Sequence, residues 1–389
     1  GLAGTHGLAG AGLDRAGPAG AGGLDRTGLD GVIAALAGIE TLDDVGRPAS
    51  GPIALGALPF DPAAPAVLVV PAMIVAVAVD GTAWKTTVSP RSSLDDGPVR
   101  ASFASVPSAD HWPPDHFELR SPRAHQDWCA AVVRAVDLVR SGSLDKVVLA
   151  REVVVQANRP FLTADVLGRL RALYPSCTTF SMDGVLGASP ELLVSRRGPV
   201  VVSHPLAGTV ARSGDPATDE ALAAGLLASA KERREHQVVV DAIAASLGPL
   251  CDGLELPPSP SIVSLRNVSH LGTRVEGRLA GHDRGWPSVL DLVGRLHPTP
   301  AVAGTPTAGA LAAIAAVEGL DRGRYAGPVG WVDSRGDGDW VIGIRSATVE
   351  GATARLVAGV GIVADSDPRA ELTETQLKLQ ALLAALVRP

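Results

Sequence analysis

The sequence predicts an α+β fold built as one large domain. Three observations carry this expectation. Short β-branched runs and helix-periodic stretches come in blocks, not in strict alternation, which disfavours a doubly wound parallel sheet. Punctuation by 44 Gly and 30 Pro is dense, yet no long polar linker separates two independent units. A chain of 389 residues is long enough to bury one large core or two ordinary ones.

Residues 1–28 mix Gly, Ala and Leu with the partial repeats GLAG and GLDR. A poorly ordered extension is expected there, because Gly-rich chain loses much backbone entropy on ordering. The segment carries no charged-then-apolar signal pattern. The domain itself is expected over 29–389. Strands are predicted at 52–58, 66–70 and 74–79, where apolar runs end in turn residues, followed by a Pro- and Ser-rich connection over 89–114. Apolar residues recur at helical spacing over 125–140, and after a Ser-Gly-Ser turn a Val-rich strand covers 146–155. A helix at 164–173 precedes strands around 178–186, 192–196 and 200–203. Residues 216–247 read as helix, then come a strand at 268–276, a helix at 288–296, the loop HPTPAVAGTP and a small-residue helix at 309–318. A meander of strands at 329–333, 340–349 and 353–363 follows, with the turns DSRGDGD and EGA. Asp367 then caps a terminal helix that has Pro368 at its first position.

Composition excludes several classes. With 34 basic against 41 acidic side chains, a formal charge of -7, the chain lacks the basic excess of a nucleic-acid binder. Its longest apolar runs, such as 66–79, are broken by proline and fall short of the ~20 residues a membrane span needs. Cys129, Cys177 and Cys251 are odd in number and widely spaced, giving neither a disulfide framework nor a metal motif, so a cytoplasmic location is expected. No obligatory protein partner is evident.

Two acidic pairs, Glu232 with Glu235 and Glu371 with Glu374, stand at i, i+3 on helical stretches, so each pair occupies one face. The first shares a stripe with Ala228, Val239 and Ala242, where unpaired charge is costly. The second shares a face with Leu377, Ala381 and Ala385, opposite Leu372, Leu379, Leu383 and Leu386. Four such carboxylates without supporting His or Cys suit a hard, oxygen-seeking ion such as Mg²⁺. Lys146 opens the strand LDKVVLAR. There it is either an edge charge or, in a closed site where desolvation favours the neutral amine, a general base. Arg345 is read as part of the 340–349 strand, on a small apolar face with Val341, Gly343 and Ala347, where a two-pronged grip on a carboxylate is its expected role. GASPE (187–191) lacks the final Gly of a hydrolase elbow. GVGIVA (359–364) closes a meander and has no acidic residue about 20 positions on, so its glycines are read as letting a ligand approach the backbone. The histidines show no zinc spacing and read as structural hydrogen-bonders.

Together, DKVVLAREV, GASPELL, SHPLAGTVAR, SAKERREHQVVVDAI, SHLGTRVEG, LHPTPAVAGTP, YAGPVGW, IGIRSA and AGVGIVADSDPRAELTETQLKL stand in an order that strongly resembles the chorismate-utilising enzymes. This family includes isochorismate, anthranilate, aminodeoxychorismate and salicylate synthases. The resemblance covers about 120–385, with looser agreement at GALPFDP (56–62). It implies two antiparallel sheets packed as a sandwich and enclosed by helices. It also implies a Mg²⁺-dependent reaction of chorismate in which water adds at C2 as the C4 hydroxyl leaves. By motif, Lys146 resembles the base that activates water and Glu191 the acid that protonates the leaving hydroxyl. Glu235 and Glu374 resemble the metal ligands, with Glu232 and Glu371 as companions for the ion's hydration shell. Gly208 and Thr209, Tyr325, Arg345, Gly359 and Gly361 resemble substrate-binding positions.

Within the family, Ala207 stands where an aminodeoxychorismate synthase carries lysine, and Lys146 where an anthranilate synthase carries glutamine. LHPTPAVAG with His297 resembles the branch that stops at isochorismate, serving menaquinone or siderophore biosynthesis. The alternatives are a salicylate synthase, which shares Lys146, Glu191 and the four carboxylates, an anthranilate synthase component, and a non-catalytic chorismate-binding protein.

Overall fold

The computed structural model describes residues 26–89, 112–281 and 285–387. The extension expected over 1–28 lies outside the described residues up to position 25, as do residues 90–111 of the Pro- and Ser-rich connection. The chain begins with α1 (Arg26–Ala37), β1 (Ile53–Ala57), β2 (Met73–Val77), β3 (Ala83–Thr87), β4 (Phe117–Arg120), α2 (His125–Arg140), β5 (Lys146–Ala157) and α3 (Thr163–Leu173). It continues through β6 (Thr178–Met182), β7 (Val185–Ser189), β8 (Leu192–Arg197), β9 (Val200–His204), β10 (Leu206–Ala211), α4 (Pro216–Ala228) and α5 (Ala230–Leu247). Next come β11 (Cys251–Glu255), β12 (Ser261–Ser264), β13 (Val268–Gly272), β14 (Val275–Leu279), α6 (Val289–Leu296), β15 (Gly304–Thr305) and α7 (Thr307–Val317). The last elements are β16 (Pro328–Asp333), β17 (Gly338–Ile342), β18 (Ser346–Glu350), β19 (Thr353–Ile362) and α8 (Pro368–Val387).

Two seven-stranded antiparallel sheets dominate. The first runs β1-β16-β17-β8-β9-β14-β11, and the second runs β15-β5-β19-β18-β7-β6 with β4 beside the far end of β5. A three-stranded sheet, β10-β13-β12, and the hairpin β2-β3 complete the set. The main core joins side chains of both large sheets, such as Leu193 and Trp340 with Leu149 and Val360, to those of α2, α5, α6 and α7. A second core lies between the second sheet, α3 and α8. This is the α+β architecture the block pattern predicts. No helix among the described residues is long and apolar enough to cross a membrane.

The site is positioned by two places where a paired ribbon leaves one sheet for another. The pair β7/β18 of the second sheet continues as β8/β17 of the first, through residues 190–191 on one chain and 343–345 on the other. Backbone groups stay paired across this step: Ile342 N–H donates to Glu191 O (3.1 Å) and Ala188 N–H to Arg345 O (3.1 Å). Likewise β9/β14 of the first sheet continues as β10/β13 of the small sheet, through Pro205 and Thr273–Arg274.

These steps explain where the observed elements differ from the expected ones. The 340–349 strand is two strands in two sheets, and Arg345 sits in the step between them at φ 51°, not inside a strand. The 268–276 strand divides in the same way. The 216–247 helix breaks at Ser229, whose ψ of 113° leaves the helical region and whose hydroxyl accepts from Glu232 N–H (3.3 Å). Ser-x-x-Glu at 229–232 is the sequence mark of such a new start. Ala228 therefore belongs to α4 and not to the stripe that carries Glu232. Residues 178–186 contain a hairpin turn at Asp183 and Gly184, both at positive φ. The expected 66–70 strand contributes only an isolated bridge, Val69 with Leu55. Helix α1, whose first three residues fall within the expected 1–28 extension, and the strands β3, β4, β10, β11, β12 and β15 have no counterpart among the expected elements.

Candidate active site

One cavity is lined by all twelve residues singled out from the sequence, namely Lys146, Glu191, Gly208, Thr209, Glu232, Glu235, Tyr325, Arg345, Gly359, Gly361, Glu371 and Glu374. Its floor is the β5/β19 pair, whose register sets Gly361 against Val148 and Gly359 against Ala150. Alternation along β19 turns both glycines to the side opposite Ala358, Val360 and Ile362, which are buried. A Cβ at Gly361 would lie 2.6 Å from Lys146 Cε and 3.0 Å from Glu235 Oε1, so only Gly lets the lysine cross this strand. Gly208, at φ +70° in the β10 bulge, performs the same service for Glu232. Helices α5 and α8 bring the two carboxylate pairs to the cavity.

Burial and pairing set the charges. Lys146 is buried and donates to Glu235 Oε1 at 2.8 Å. Burial acts to raise the Glu235 carboxyl, but the charge and hydrogen bond of Lys146 outweigh it and hold the group below its ordinary range. Lys378 pairs with Glu374 Oε1 at 2.7 Å and donates to Gly359 O at 3.0 Å. Burial raises Glu232, and the neighbouring charge of Glu235 adds to the effect. Burial also pushes Glu371 up to about 7, with the Ser366 hydroxyl opposing and Glu374 reinforcing the rise. Glu191, in the step between the two large sheets, is likewise pushed up to about 7 by burial, against a bond from Leu206 N–H and the charge of Lys146. A carboxyl so placed holds its proton near neutrality.

Arg345 and Tyr325 occupy the cavity wall, Tyr325 with its hydroxyl beside Gly359. Four further polar lining residues, Lys378, His270, Arg322 and Lys231, are not among those singled out from the sequence for the site, where His270 reads only as a structural hydrogen-bonder. Lys378 stands four positions after Glu374, so helical spacing already placed it on the same face. Arg322 stands four positions after Glu318, but no motif ties either residue to the site. The arginine forms a fully buried pair with Glu318 (2.7 and 2.6 Å) and donates to Val302 O and Val148 O, both at 2.8 Å. Glu318 Oε2 in turn accepts from Ala150 N–H at 2.7 Å. This pair fills the gap along β5 between β15 and β4, supplying side-chain partners where no strand runs, two to four residues from Lys146. His297 lies outside the cavity lining: its buried ring bonds Phe60 O at 2.9 Å, tying the HPTP loop to the GALPFDP segment.

The donor set at the α5/α8 end consists of carboxylate oxygens. Among the described residues no three or more His, Cys, Asp or Glu groups close around one point, and Glu235 and Glu374 each pair with a lysine. Even so, Glu232 and Glu371 are raised in part by neighbouring glutamates, and a hard divalent cation among them would relieve that repulsion. The residues fit such an ion.

A family model described as chorismate binding enzyme matches residues 35–387. Isochorismate synthase DhbC of Bacillus subtilis is 38% identical over 351 residues, covering 87% of this chain and 81% of that protein. The structure of MenF, the menaquinone-specific isochorismate synthase of Escherichia coli, superposes with a TM-score of 0.74 at 29% identity, over 86% of this chain and 79% of that one. Anthranilate synthase component I of Streptococcus pneumoniae shares the fold, with a TM-score of 0.73 at 23% identity over 92% of this chain and 86% of that one. With a match that spans both large sheets and every cavity residue, the chain belongs to the chorismate binding enzyme family.

Proposed function

We propose that this chain is an isomerase that converts chorismate reversibly to isochorismate, with water adding at C2 and the C4 hydroxyl leaving. The observation that carries the reading is a buried carboxyl, Glu191, pushed up to about 7 by burial and facing the same cavity as the buried Lys146. Water must lose a proton at C2 while the hydroxyl gains one at C4, so the site needs a base and an acid together. Glu191 is the acid. Lys146 is the base: it works as the neutral amine, reached by loss of one ammonium proton, and in that form it can keep donating an N–H to Glu235 while its lone pair takes the proton of the attacking water. Arg345 and Tyr325, with the backbone at Gly359, Gly361 and Gly208–Thr209, orient the substrate carboxylates. A cytoplasmic enzyme acting on a small metabolite is the setting this implies.

Glu235 and Glu374 would hold Mg²⁺, with Glu232 and Glu371 beside its hydration shell. When bound, the ion supplies positive charge that offsets and orients the ring carboxylate. Glu374→Gln is the cleaner test of this assignment, because its lysine partner is not the base. It should raise the magnesium concentration for half-maximal activity by about 10- to 100-fold, the loss seen when support for a metal is removed. Glu235→Gln should do the same while also freeing Lys146. Magnesium titrations of both variants that overlay the unmodified protein would refute the ligand assignment. Isochorismate in the products of chorismate turnover tests the function as a whole.

A further inference from the structure

His270 lies in the middle of β13, 6% exposed, and its ring links three parts of the cavity wall. Nε2 stands 3.2 Å from Arg345 Nη2, and Nδ1 stands 3.1 Å from both Gly208 O and Thr209 Oγ1. The directions of these bonds follow from the partners. A guanidinium only donates, so Nε2 must accept, and the ring proton therefore sits on Nδ1, where the Gly208 carbonyl takes it. A charged imidazolium would have no acceptor to offer Arg345 and would face its positive charge. Burial first, then the charges of Arg345 and Lys378, accordingly hold the ring neutral, with its pKa lowered to about 3.

Arg345 needs such a partner. Its backbone sits at φ 51° in the step between sheets, and its Nε is buried with no hydrogen-bond partner among the described residues. Among the described residues, His270 Nε2 is the one side-chain acceptor that its guanidinium meets. We propose that His270 is a positioning residue: an Nδ1-protonated, neutral imidazole that holds the Arg345 guanidinium in place for a substrate carboxylate and locks it to the Gly208–Thr209 bulge. This rests on the reading that Arg345 binds a chorismate carboxylate. The arrangement leaves Nη1 and the second Nη2 proton for the ligand, and spares binding the loss of rotamer freedom that an untethered arginine would incur.

The test combines kinetics with histidine-selective ¹⁵N NMR. His270→Leu should raise the KM for chorismate by about 10- to 100-fold, the worth of one charge-assisted hydrogen bond, with a much smaller change in kcat. His270→Gln, whose Oε1 can accept from Arg345, should recover part of that loss. In an Arg345→Lys background His270→Leu should cost little more, because its target is gone. An unchanged KM in folded His270→Leu, or an equal loss in both backgrounds, would overturn the proposal. Should His270→Leu fail to fold, the Gln variant and the spectrum decide. The His270 resonances, identified by their loss in His270→Gln, should show a neutral ring protonated at Nδ1 down to pH 5. Protonation at Nε2 would overturn the link to Arg345. A chain inert toward chorismate would instead sink the functional reading, and the tautomer would still judge the contact.

Discussion

Glu191→Gln should lower turnover of chorismate by about 10²- to 10⁴-fold while the protein stays folded, the usual contribution of a positioned acid. Glutamine keeps the shape of the side chain and can still accept the Leu206 N–H, but it has no proton to give to the C4 hydroxyl. Lys146→Ala should lose a comparable factor, because it removes the amine assigned to take the proton of water. The pH profile carries the sign of the Glu191 assignment. The acid works in its protonated form, so its contribution to kcat/KM, which reports the free enzyme, should be fully present below about 7 and fall as pH rises through that value. Glu191→Gln should remove that falling limb. Thermal melts accompany both variants, and near-normal turnover in either folded variant would show that its proton passes through another group.

Glu318→Gln should destabilise the fold by about 3–5 kcal/mol, the cost of leaving one member of a buried ion pair without its partner. The side chains of Arg322 and Glu318 are 3% and 1% exposed, so water cannot replace the lost charge. The ring of Phe60 covers the guanidinium at 4.2 Å. The same change weakens the acceptor for Ala150 N–H, loosening β5 close to Lys146. Denaturant unfolding of this variant beside the exposed-pair variant Arg274→Ala, whose 2.8 Å bridge to Glu276 should contribute about 0–1 kcal/mol, separates burial from pairing as such. Equal midpoints for the two would contradict the role given to the Arg322–Glu318 plug.

Much of the fold was legible where local pattern and tertiary role agree. The Val-rich run of β5, the apolar spacing of α2 and the Asp367–Pro368 start of α8 each announce their element, because their buried faces recur at the period of the structure they form. What could not be read was where a strand changes sheets. Residues 340–349 keep a strand-like alternation, yet Gly343, Ile344 and Arg345 turn the chain from one sheet to the other, and nothing local distinguishes that step from continuous β structure. The site shows the same division. Carboxylates spaced at i, i+3 on helices reveal their shared face in one dimension, and so did Lys146 at the start of its strand. His270 acts on Arg345, 75 residues away, and the Arg322–Glu318 pair, though its members stand four positions apart, meets β5 at Val148, 174 residues from Arg322, which spacing along the chain cannot show.

Product analysis after mixing the purified protein with chorismate and Mg²⁺ tests the central claim most directly. The two compounds are similar hydroxylated dienes, so the account predicts a mixture of chorismate and isochorismate, approached from either side, with no release of pyruvate. Stoichiometric salicylate and pyruvate from protein free of any contaminating lyase would contradict it.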